Sequence, residues 1–363
     1  MNSQAIMIMK INDLTDNTGE WLRGTGPESD IVISSRIRLA RNVARYPFLS
    51  RANAKQKKEL EEMVRDRIKE SDIAQDLLYI NLADISPVDR LFLVERHLIS
   101  REHAGGEGIR GVAFGKSETV SLMVNEEDHL RIQVIRSGFE LKNNWKTIDE
   151  IDNKLEKKIN YAYSSRFGYL TSCPTNVGTG MRVSVMLHLP ALGMTHHIEK
   201  VFNAVVKLGL VVRGLYGEGT QVSGDLYQIS NQFTLGKSEG EIVEIIESVI
   251  PRVTSYERMA RKALISENRE QLEDRVWRAY GMLKVARTIS SDEIMHLLSQ
   301  VRMGVNLGII NDIEMKTLNE LFILTLPGHL QKLEGRELTS AQRNIIRASY
   351  VRKRLEKIDS LKG

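Results

Sequence analysis

The sequence predicts an α+β domain followed by an all-helical domain. Between residues 77 and 235, short apolar runs rich in β-branched residues are separated by glycines and by two amphipathic helical patterns. From Glu239 onward only helical patterns occur. Pro251 predicts a break between the two domains, because proline removes a helical hydrogen bond and clashes with the preceding turn. We therefore expect a seam at 251–257 and divide the chain into an N-terminal segment 1–29, an α+β domain 30–254 and a helical domain 255–363.

Hydrophobic periodicity places the individual elements. Strands are predicted at Leu77–Leu82, Val120–Val124, Leu130–Ile135, Met181–Leu189, Leu210–Leu215 and Leu226–Phe233. Helices of the α+β domain are predicted at Lys55–Glu70, Ile148–Tyr163 and His196–Leu208. Helices of the second domain are predicted at Glu241–Val249, Ser255–Ile265, Gln271–Leu283, Ser291–Gly304, Glu314–Leu324 and Ser340–Ile358.

Composition excludes several classes of protein. The 363 residues carry a net charge of only +4, so nucleic-acid binding is not the default expectation. Hydrophobic residues make up 42% of the chain, and no apolar run approaches the ~20 residues that span a bilayer. A single cysteine excludes an intramolecular disulfide and a thiolate cluster for zinc. With no export signal, these features predict a cytoplasmic protein, and no residue of the chain is assigned as a metal ligand.

Two short segments concentrate charge at predicted strands. In Ser34–Asn42, extended backbone would place Arg36 and Arg38 on one face, where two guanidinium forks suit phosphate oxygens; a solvated edge strand is the alternative. In Asn125–Arg131, three adjacent acids precede a strand. They form either a capped turn or a catalytic group in which one carboxylate is the base and the others contact a metal or the substrate.

Two further segments combine glycines with reactive side chains. Thr171–Arg182 contains hydroxyl residues, glycines and the only cysteine, Cys173, and such a loop offers backbone N–H groups to an anion. A buried, inert cysteine is the alternative. Val212–Gly219 carries Arg213 and Glu218 between glycines, and a flexible hairpin end explains it equally.

Together the four segments resemble the catalytic domain of the phosphagen (guanidino) kinases, the family of arginine and creatine kinases. Asn125-Glu-Glu-Asp-His129 and Cys173-Pro-Thr-Asn-Val-Gly-Thr-Gly180 are long signatures in the family's order, and the resemblance covers residues 30–250. It implies a twisted, largely antiparallel sheet flanked by helices, with ATP and Mg²⁺ as cofactors. It also implies the nucleotide-binding residues, which are Ser34, Ser35, Arg36, Arg38, His97, Arg131, Arg182, Val183, Ser184, Val185, Met186 and Arg213. For His97, a surface histidine is the alternative.

The resemblance implies that Glu127 and Glu218 grip the substrate guanidinium, with Cys173 beside it. A guanidinium has a pKa above ~12, so its nitrogen lacks an available lone pair until a proton leaves. Two carboxylates can orient the planar group and one can accept the proton, and we expect Glu127 to be the base. The arginines and Mg²⁺ would neutralise charge on the transferred phosphoryl group.

Domain order resembles the branch of this family that phosphorylates arginine side chains of bacterial proteins. Only 33 residues precede Ser34, where small-guanidine kinases carry a helical domain, and a helical domain follows instead. That branch implies partners: protein substrates with accessible arginines, a heat-shock repressor, a zinc-containing activator protein, a Clp unfoldase and protease for which phosphoarginine marks clients, and a second copy in a homodimer. No membrane association is expected.

The branch also has a phosphoarginine-binding Arg-Asp-x-x-Arg-Ala motif, which in this chain comprises Arg343, Asn344, Arg347 and Ala348. Asn344 replaces the aspartate and supplies no charge for the ligand's guanidinium, so we expect weaker binding. A solvated basic helix is the alternative.

Two other functions remain open. A kinase for free guanidino metabolites would phosphorylate free arginine rather than protein. An adaptor with a silent nucleotide site would bind phosphoarginine clients without turnover, although the presence of both glutamates and all five arginines argues against it.

Overall fold

The computed structural model describes residues 11–15, 18–73, 77–214 and 223–362. The strands are β1 Val32–Arg41, β2 Leu78–Asn81, β3 Gly111–Phe114, β4 Val120–Val124, β5 Leu130–Ser137, β6 Tyr163–Ser164, β7 Gly168–Tyr169, β8 Met181–His188, β9 Leu210–Gly214 and β10 Leu226–Asn231. The helices are α1 Ala54–Glu70, α2 Pro87–Glu95, α3 Arg101–Gly105, α4 Leu141–Glu156, α5 Pro190–Met194, α6 Ile198–Lys207, α7 Glu239–Val285, α8 Ser291–Asn306, α9 Met315–Leu324, α10 Pro327–Glu334 and α11 Ser340–Lys362.

Eight of these strands form one sheet in the order β2-β3-β4-β5-β1-β8-β10-β9. Every recorded strand pair in it is antiparallel. The alternation of β1 explains its central position: Ile37 and Leu39 are buried in the core, whereas Arg36 and Arg38 between them are only half-buried on the other face. The sheet therefore has a core face and a charged face.

Helices cover the core face of the sheet. Helix α4 packs on β1 and β5, and its buried Ile148, Ile151 and Leu155 recur at helical spacing. Helix α1 begins at a capping box in which the Asn53 side chain accepts from the Gln56 N–H, and Gln56 returns a bond to the Asn53 N–H.

The predicted break at Pro251 is wrong. Helix α7 runs through this proline, and its residues around Pro251 are buried, including Val249, Ile250 and Val253. Packing against the sheet and α5 therefore outweighs the roughly 3 kcal/mol that a proline costs within a helix. The interruption of helical geometry lies further on, at Asn268 with φ −141° and ψ 37°.

The predicted class, an α+β part followed by helices, is confirmed. Val120–Val124 is a strand with the predicted bounds, and five other predicted strands differ from the observed ones by at most two residues at either end. The predicted helix Ile148–Tyr163 is displaced, because α4 begins at Leu141 and ends at Glu156. The predictions omitted β3, β6, β7, α2, α3, α5 and α10, and the segment of β1 was treated as extended without being placed among the predicted strands.

Candidate active site

A cleft of about 570 Å³ opens on the charged face of the sheet. Strands β1, β5, β8 and β9 line it together with the segments after α2, after β4 and before β8. Six arginines reach its wall: Arg36, Arg38, Arg101, Arg131, Arg182 and Arg213. Three glutamates accompany them: Glu102, Glu126 and Glu127. The cleft is therefore strongly cationic, which suits a ligand with several negative charges.

Strand register brings the arginines together. Arg38 on β1 lies opposite Arg182 on β8, and Ala40 two residues later lies opposite Arg131 on β5. Because side chains alternate along a strand, Arg36 and Arg38 share the cleft face. Arg213 on β9 lies opposite Gln228 on β10, which also lines the cleft. All five arginines implied by the resemblance therefore meet in one place.

These arginines depress one another's basicity. Burial, followed by the charges of Arg131 and Arg182, lowers the pKa of Arg36 to about 10. Burial and the neighbouring Arg36, Arg131 and Arg182 hold the pKa of Arg38 well below its usual value, with Glu126 opposing the effect. Arg36 donates to Gln228 Oε1 at 2.9 Å. Within the described residues Arg38 has no recorded hydrogen-bond acceptor, so a bound anion would supply one.

The acidic turn after β4 is held by Arg131. Its Nη1 donates to Glu126 Oε1 at 2.6 Å, and its Nη2 lies 3.4 Å from Glu127 Oε2. Ser100 Oγ also donates to Glu126 at 2.6 Å. Arg131 and these hydrogen bonds outweigh burial and lower the pKa of Glu126. Glu126 is thus an ionised anchor that was missed by the sequence analysis, although it lies within the quoted acidic motif.

Glu127 has the opposite character. Its side chain is 44% exposed in the cleft. Partial burial, together with the like charges of Asp128 and Glu126, raises its pKa despite the opposing charges of Arg131 and Arg182. A raised pKa makes a carboxylate a better proton acceptor near neutral pH. Among the described acids that line the cleft, Glu127 is the one whose pKa is raised, which suits a general base.

The Cys173 loop lies against this turn. Asp128 Oδ1 accepts from the Ser172 N–H at 2.6 Å and from Asn42 Nδ2 at 2.6 Å, so one buried carboxylate joins the acidic turn, the loop and the end of β1. Cys173, Thr175 and Asn176 line the cleft. Cys173 Sγ and Thr175 Oγ1 are 3.0 Å apart.

Gly178 is required by the path of this loop. Its φ is +112°, and a Cβ atom there would lie 2.4 Å from the carbonyl oxygen of Thr234. Thr234 Oγ1 lies 2.9 Å from the Thr175 carbonyl oxygen and 2.7 Å from that of Val177, so its single O–H is shared between the two acceptors. The glycine therefore allows the loop to be tied to the segment after β10 while Cys173 stays at the cleft.

Three of the residues predicted to bind the nucleotide have side chains that face away from the cleft, and their role in nucleotide binding stays a prediction. Val183 and Val185 alternate with Arg182 and are fully buried in the core on the opposite face of β8. Ser35 also lies on that face, where its hydroxyl donates to the Gly138 carbonyl and accepts from the Glu140 N–H. The period of two along a strand turns these side chains away from the cleft.

The remaining predicted nucleotide residues lie at or beside the cleft. Ser34, Ser184 and Met186 line a small adjoining cavity together with Arg36 and His97. His97 also lines the main cleft, which argues against the surface-histidine alternative. Burial and the charges of Arg36, Arg38 and Arg101 lower the pKa of His97 to about 3, so the ring is neutral. Their role in nucleotide binding stays a prediction.

The predicted phosphoarginine residues lie on α11. Arg347 is completely buried and donates to the carbonyls of Thr325 and Ile289, each at 2.8 Å, and to Asn344 Oδ1 at 2.8 Å. Its remaining contact is Ser291 Oγ at 2.8 Å. Ala348 is buried, and Arg343 donates to the Leu338 carbonyl at 2.6 Å. Arg347 is therefore occupied by its own chain in this conformation, and ligand binding by this motif stays a prediction.

Glu218 lies outside the described residues. Two residues at the cleft, Arg101 and Gln228, were not predicted from the sequence. Arg101 follows a serine N-cap and begins a five-residue helix, which gives no periodic signal. Gln228 lies between Leu226 and Ile229 in a strand of mixed polarity that gives it no motif, and only the sheet register shows that it lies opposite Arg213.

Within the described ranges, no three His, Cys, Asp or Glu side chains are grouped to hold a metal ion. Mg²⁺ binds through one or two carboxylates together with substrate phosphates and water, so the cationic cleft fits the ion only as part of a nucleotide complex. No helix of the described residues is long and apolar enough to cross a membrane.

Two family models match the chain. The catalytic domain of ATP:guanido phosphotransferases matches residues 59–260, and the C-terminal domain of the protein-arginine kinase McsB matches residues 269–362. The two matches meet around Asn268, where α7 is interrupted.

Curated relatives and solved structures agree with these models. A protein-arginine kinase of Halothermothrix orenii is 48% identical over 96% of this chain and 99% of its own length. That of Bacillus subtilis is 45% identical over 94% of each chain. The duplicated taurocyamine kinase of Schistosoma mansoni with bound transition state analog components is 27% identical, with a TM-score of 0.59, over 69% of this chain and 36% of its own. A lombricine kinase is 26% identical, with a TM-score of 0.57, over 68% of this chain and 70% of its own. Cleft, sheet and sequence together place the chain in the protein-arginine kinase branch of the ATP:guanido phosphotransferase family.

Proposed function

We propose that the chain transfers the γ-phosphoryl group of ATP to the guanidinium group of arginine side chains in proteins. The observation that carries this proposal is the cleft itself, in which the family's five arginines surround Glu127 and Cys173. Family membership over almost the whole chain supports the choice of protein arginine over free arginine.

The arginines bind the triphosphate. Their mutual repulsion lowers the pKa values of Arg36 and Arg38, and a polyanion between them relieves that repulsion. Guanidinium forks donate paired hydrogen bonds to phosphate oxygens. When bound with the nucleotide, Mg²⁺ would supply further neutralisation of the phosphate charge beside these arginines.

Glu127 accepts the proton. As the guanidinium nitrogen bonds to the γ-phosphorus, the bond from that phosphorus to the bridging oxygen breaks and ADP leaves with its electron pair. The nitrogen loses one proton, which Glu127 takes. The raised pKa of Glu127 suits this transfer, while Arg131 keeps the carboxylate oriented. Cys173 and, as implied by the resemblance, Glu218 hold the other side of the guanidinium.

Regulation and partners extend the proposal. Phosphoarginine binds to four residues of α11, which are Arg343, Asn344, Arg347 and Ala348. The half-buried Arg343 side chain contacts the phosphate. The chain works in the cytoplasm as a homodimer with a zinc-containing activator protein. It modulates a heat-shock repressor, and its product marks clients for a Clp unfoldase and protease. Membership in the protein-arginine kinase branch is the support for these roles.

The test of the proposal is transfer to protein. The protein is incubated with ATP, Mg²⁺ and an unfolded basic protein, and phosphorylated residues are mapped by mass spectrometry without acid. We expect acid-labile phosphate on arginine. Acid-stable phosphoserine alone, or transfer to free arginine but not to protein, would contradict the proposal. Binding of a phosphoarginine peptide without any turnover would favour the adaptor.

Glu127→Gln tests the assignment of the base. We expect turnover to fall by about 10²–10⁴-fold, while ATP affinity changes little, because the carboxylate acts on the guanidine side. In the wild type, activity should fall as pH falls through the raised pKa of Glu127, since the protonated carboxyl cannot accept a proton. That acid limb should lie above the pH at which an ordinary glutamate titrates. Glu62→Gln, on the exposed face of α1, is the matched control, and loss of ATP binding in Glu127→Gln would overturn the assignment.

A further inference from the structure

Four buried polar side chains form a hydrogen-bond network between the end of α2, the segment before β4 and the first turn of α10. They are Glu95, Arg96, Glu118 and His329, and none is more than 3% exposed. Glu95 and Arg96 lie at the end of α2, Glu118 precedes β4, and His329 lies in the first turn of α10. This hydrogen-bond network therefore connects the helical region to the catalytic region.

Glu95 caps the N-terminus of α10. Its carboxylate accepts from the Gly328 N–H at 2.6 Å, the His329 N–H at 2.9 Å and His329 Nδ1 at 2.7 Å. Leu326, the N-cap residue of α10, has no side chain that could satisfy those N–H groups. A carboxylate at a helix N-terminus is favoured by the hydrogen bonds and by the helix dipole. Removing the Glu95 carboxylate would leave the buried N–H groups of Gly328 and His329 without acceptors.

His329, which is hydrogen-bonded to Glu95, also contacts Arg96. Burial lowers the pKa of His329, so its ring is neutral. Because Nδ1 donates to Glu95, Nε2 is left as the acceptor, and it lies 3.3 Å from Arg96 Nη1. Arg96 Nε donates to Glu118 Oε2 at 2.8 Å. Each side chain of this network therefore has a hydrogen-bond partner that fixes its orientation.

The residue that follows Arg96 is His97, which lines the nucleotide cleft. Its φ is +58°, a left-handed conformation that a non-glycine residue keeps only when its surroundings hold it. Gln133 Nε2 donates to the His97 carbonyl at 2.6 Å, and the ring of Trp21 packs against the His97 ring at 4.4 Å. The buried contacts of Glu95 and Arg96 hold the chain immediately before this strained residue.

We propose that Glu95 and His329 are positioning residues for the nucleotide: through the turn Glu95-Arg96-His97 they hold the His97 ring against the bound ATP. The N-terminus of α10 thereby sets the nucleotide affinity of a cleft that α10 does not line. This inference rests on the proposed function, because it requires ATP in the cleft.

Glu95→Gln is the direct test. A glutamine places an NH₂ group against buried donors, so the cap is weakened while the shape is kept. We expect the dissociation constant for ATP, measured by calorimetry on the full chain, to rise about tenfold, and the KM for ATP to rise with it. The KM for the protein substrate should stay within about twofold, because the guanidine side is untouched.

Lys332→Met is the matched control. Lys332 on α10 forms an ion pair with Asp89 on α2, so it joins the same two helices away from His97. We expect its ATP affinity to stay within about twofold of the wild type. An equal loss of affinity in Lys332→Met would mean that any loosening of α10 acts on the cleft, and would overturn the specific role of Glu95.

Two His329 variants keep the test decisive if Glu95→Gln folds poorly. His329→Asn retains a donor near the position of Nδ1 and should restore most of the ATP affinity that His329→Ala loses. A lowered melting temperature in these variants, with ATP affinity unchanged, would show that the contact is only structural. Failure of the proposed function is distinguishable, since the wild type itself would then bind no ATP or transfer no phosphate.

Discussion

The molecule contains two arginine clusters that are built in opposite ways. In the cleft, Arg36 and Arg38 face other arginines, and within the described residues Arg38 has no recorded acceptor. In the helical region, Arg347 is satisfied by two carbonyls, a serine and Asn344. Burial lowers the pKa of both Arg36 and Arg347 to about 10. A depressed arginine pKa therefore does not identify a ligand site by itself. The two arginines differ in the number of their protein acceptors, because Arg36 donates to Gln228 and Ser184, whereas Arg347 donates to four groups.

Arg38→Ala should produce the largest difference between the clusters. We expect kcat/KM to fall by about 10²–10³-fold, because one preorganised donor to the phosphates is lost. The melting temperature should not fall, since the substitution removes a desolvated charge that is repelled by Arg36, Arg131 and Arg182. Steady-state kinetics and thermal unfolding of the same preparation measure both effects. A clear loss of stability would mean that Arg38 contributes to the fold rather than to a ligand.

Arg347→Met should show the reverse pattern. The substitution leaves the buried carbonyls of Thr325 and Ile289 without their donor. We expect the free energy of unfolding, measured in urea, to fall by about 2–4 kcal/mol. Unchanged stability would break the comparison, because the buried contacts of Arg347 would then contribute nothing to the fold.

Asn344→Asp should have the smallest effect. An aspartate offers one oxygen to Arg347 and a second to the guanidinium of a ligand, whereas Asn344 uses its only side-chain oxygen on Arg347. We expect phosphoarginine affinity, measured by calorimetry, to rise by about three- to tenfold. The free energy of unfolding should rise by about 0.2–1 kcal/mol. An unchanged affinity would place the phosphoarginine pocket away from α11.

Periodicity predicted the elements whose burial is regular. Val120–Val124 was predicted with its observed bounds because this strand lies between β3 and β5 in the sheet and four of its five residues are buried. The helix predicted at Ile148–Tyr163 has the correct buried face but the wrong ends. Ile159 and Tyr161 continue the apolar spacing and are buried, yet Ile159 lies in the bend that follows α4 and Tyr161 pairs with Val43 in a β-bridge. Apolar spacing alone does not distinguish these environments.

The site was predictable as a set of motifs and less so as a geometry. The acidic and cysteine motifs identified Glu127 and Cys173, and the structure brings both to the cleft. The anchoring of Glu127 by Arg131 depends on a turn whose shape the motif does not specify. The resemblance also assigned Ser35, Val183 and Val185 to the nucleotide, whereas strand alternation turns their side chains to the core.

The continuity of α7 limits how the chain can be divided. Truncation after residue 254, where the sequence predicts a domain boundary, would remove Glu257 and Arg261, which form a buried ion pair. Glu257 accepts from the Ala191 and Leu192 N–H groups at 3.1 and 3.0 Å, so α5 would lose its only recorded side-chain acceptor within the described residues. An expression fragment of the catalytic half is therefore better ended near Asn268, where the helix itself changes direction.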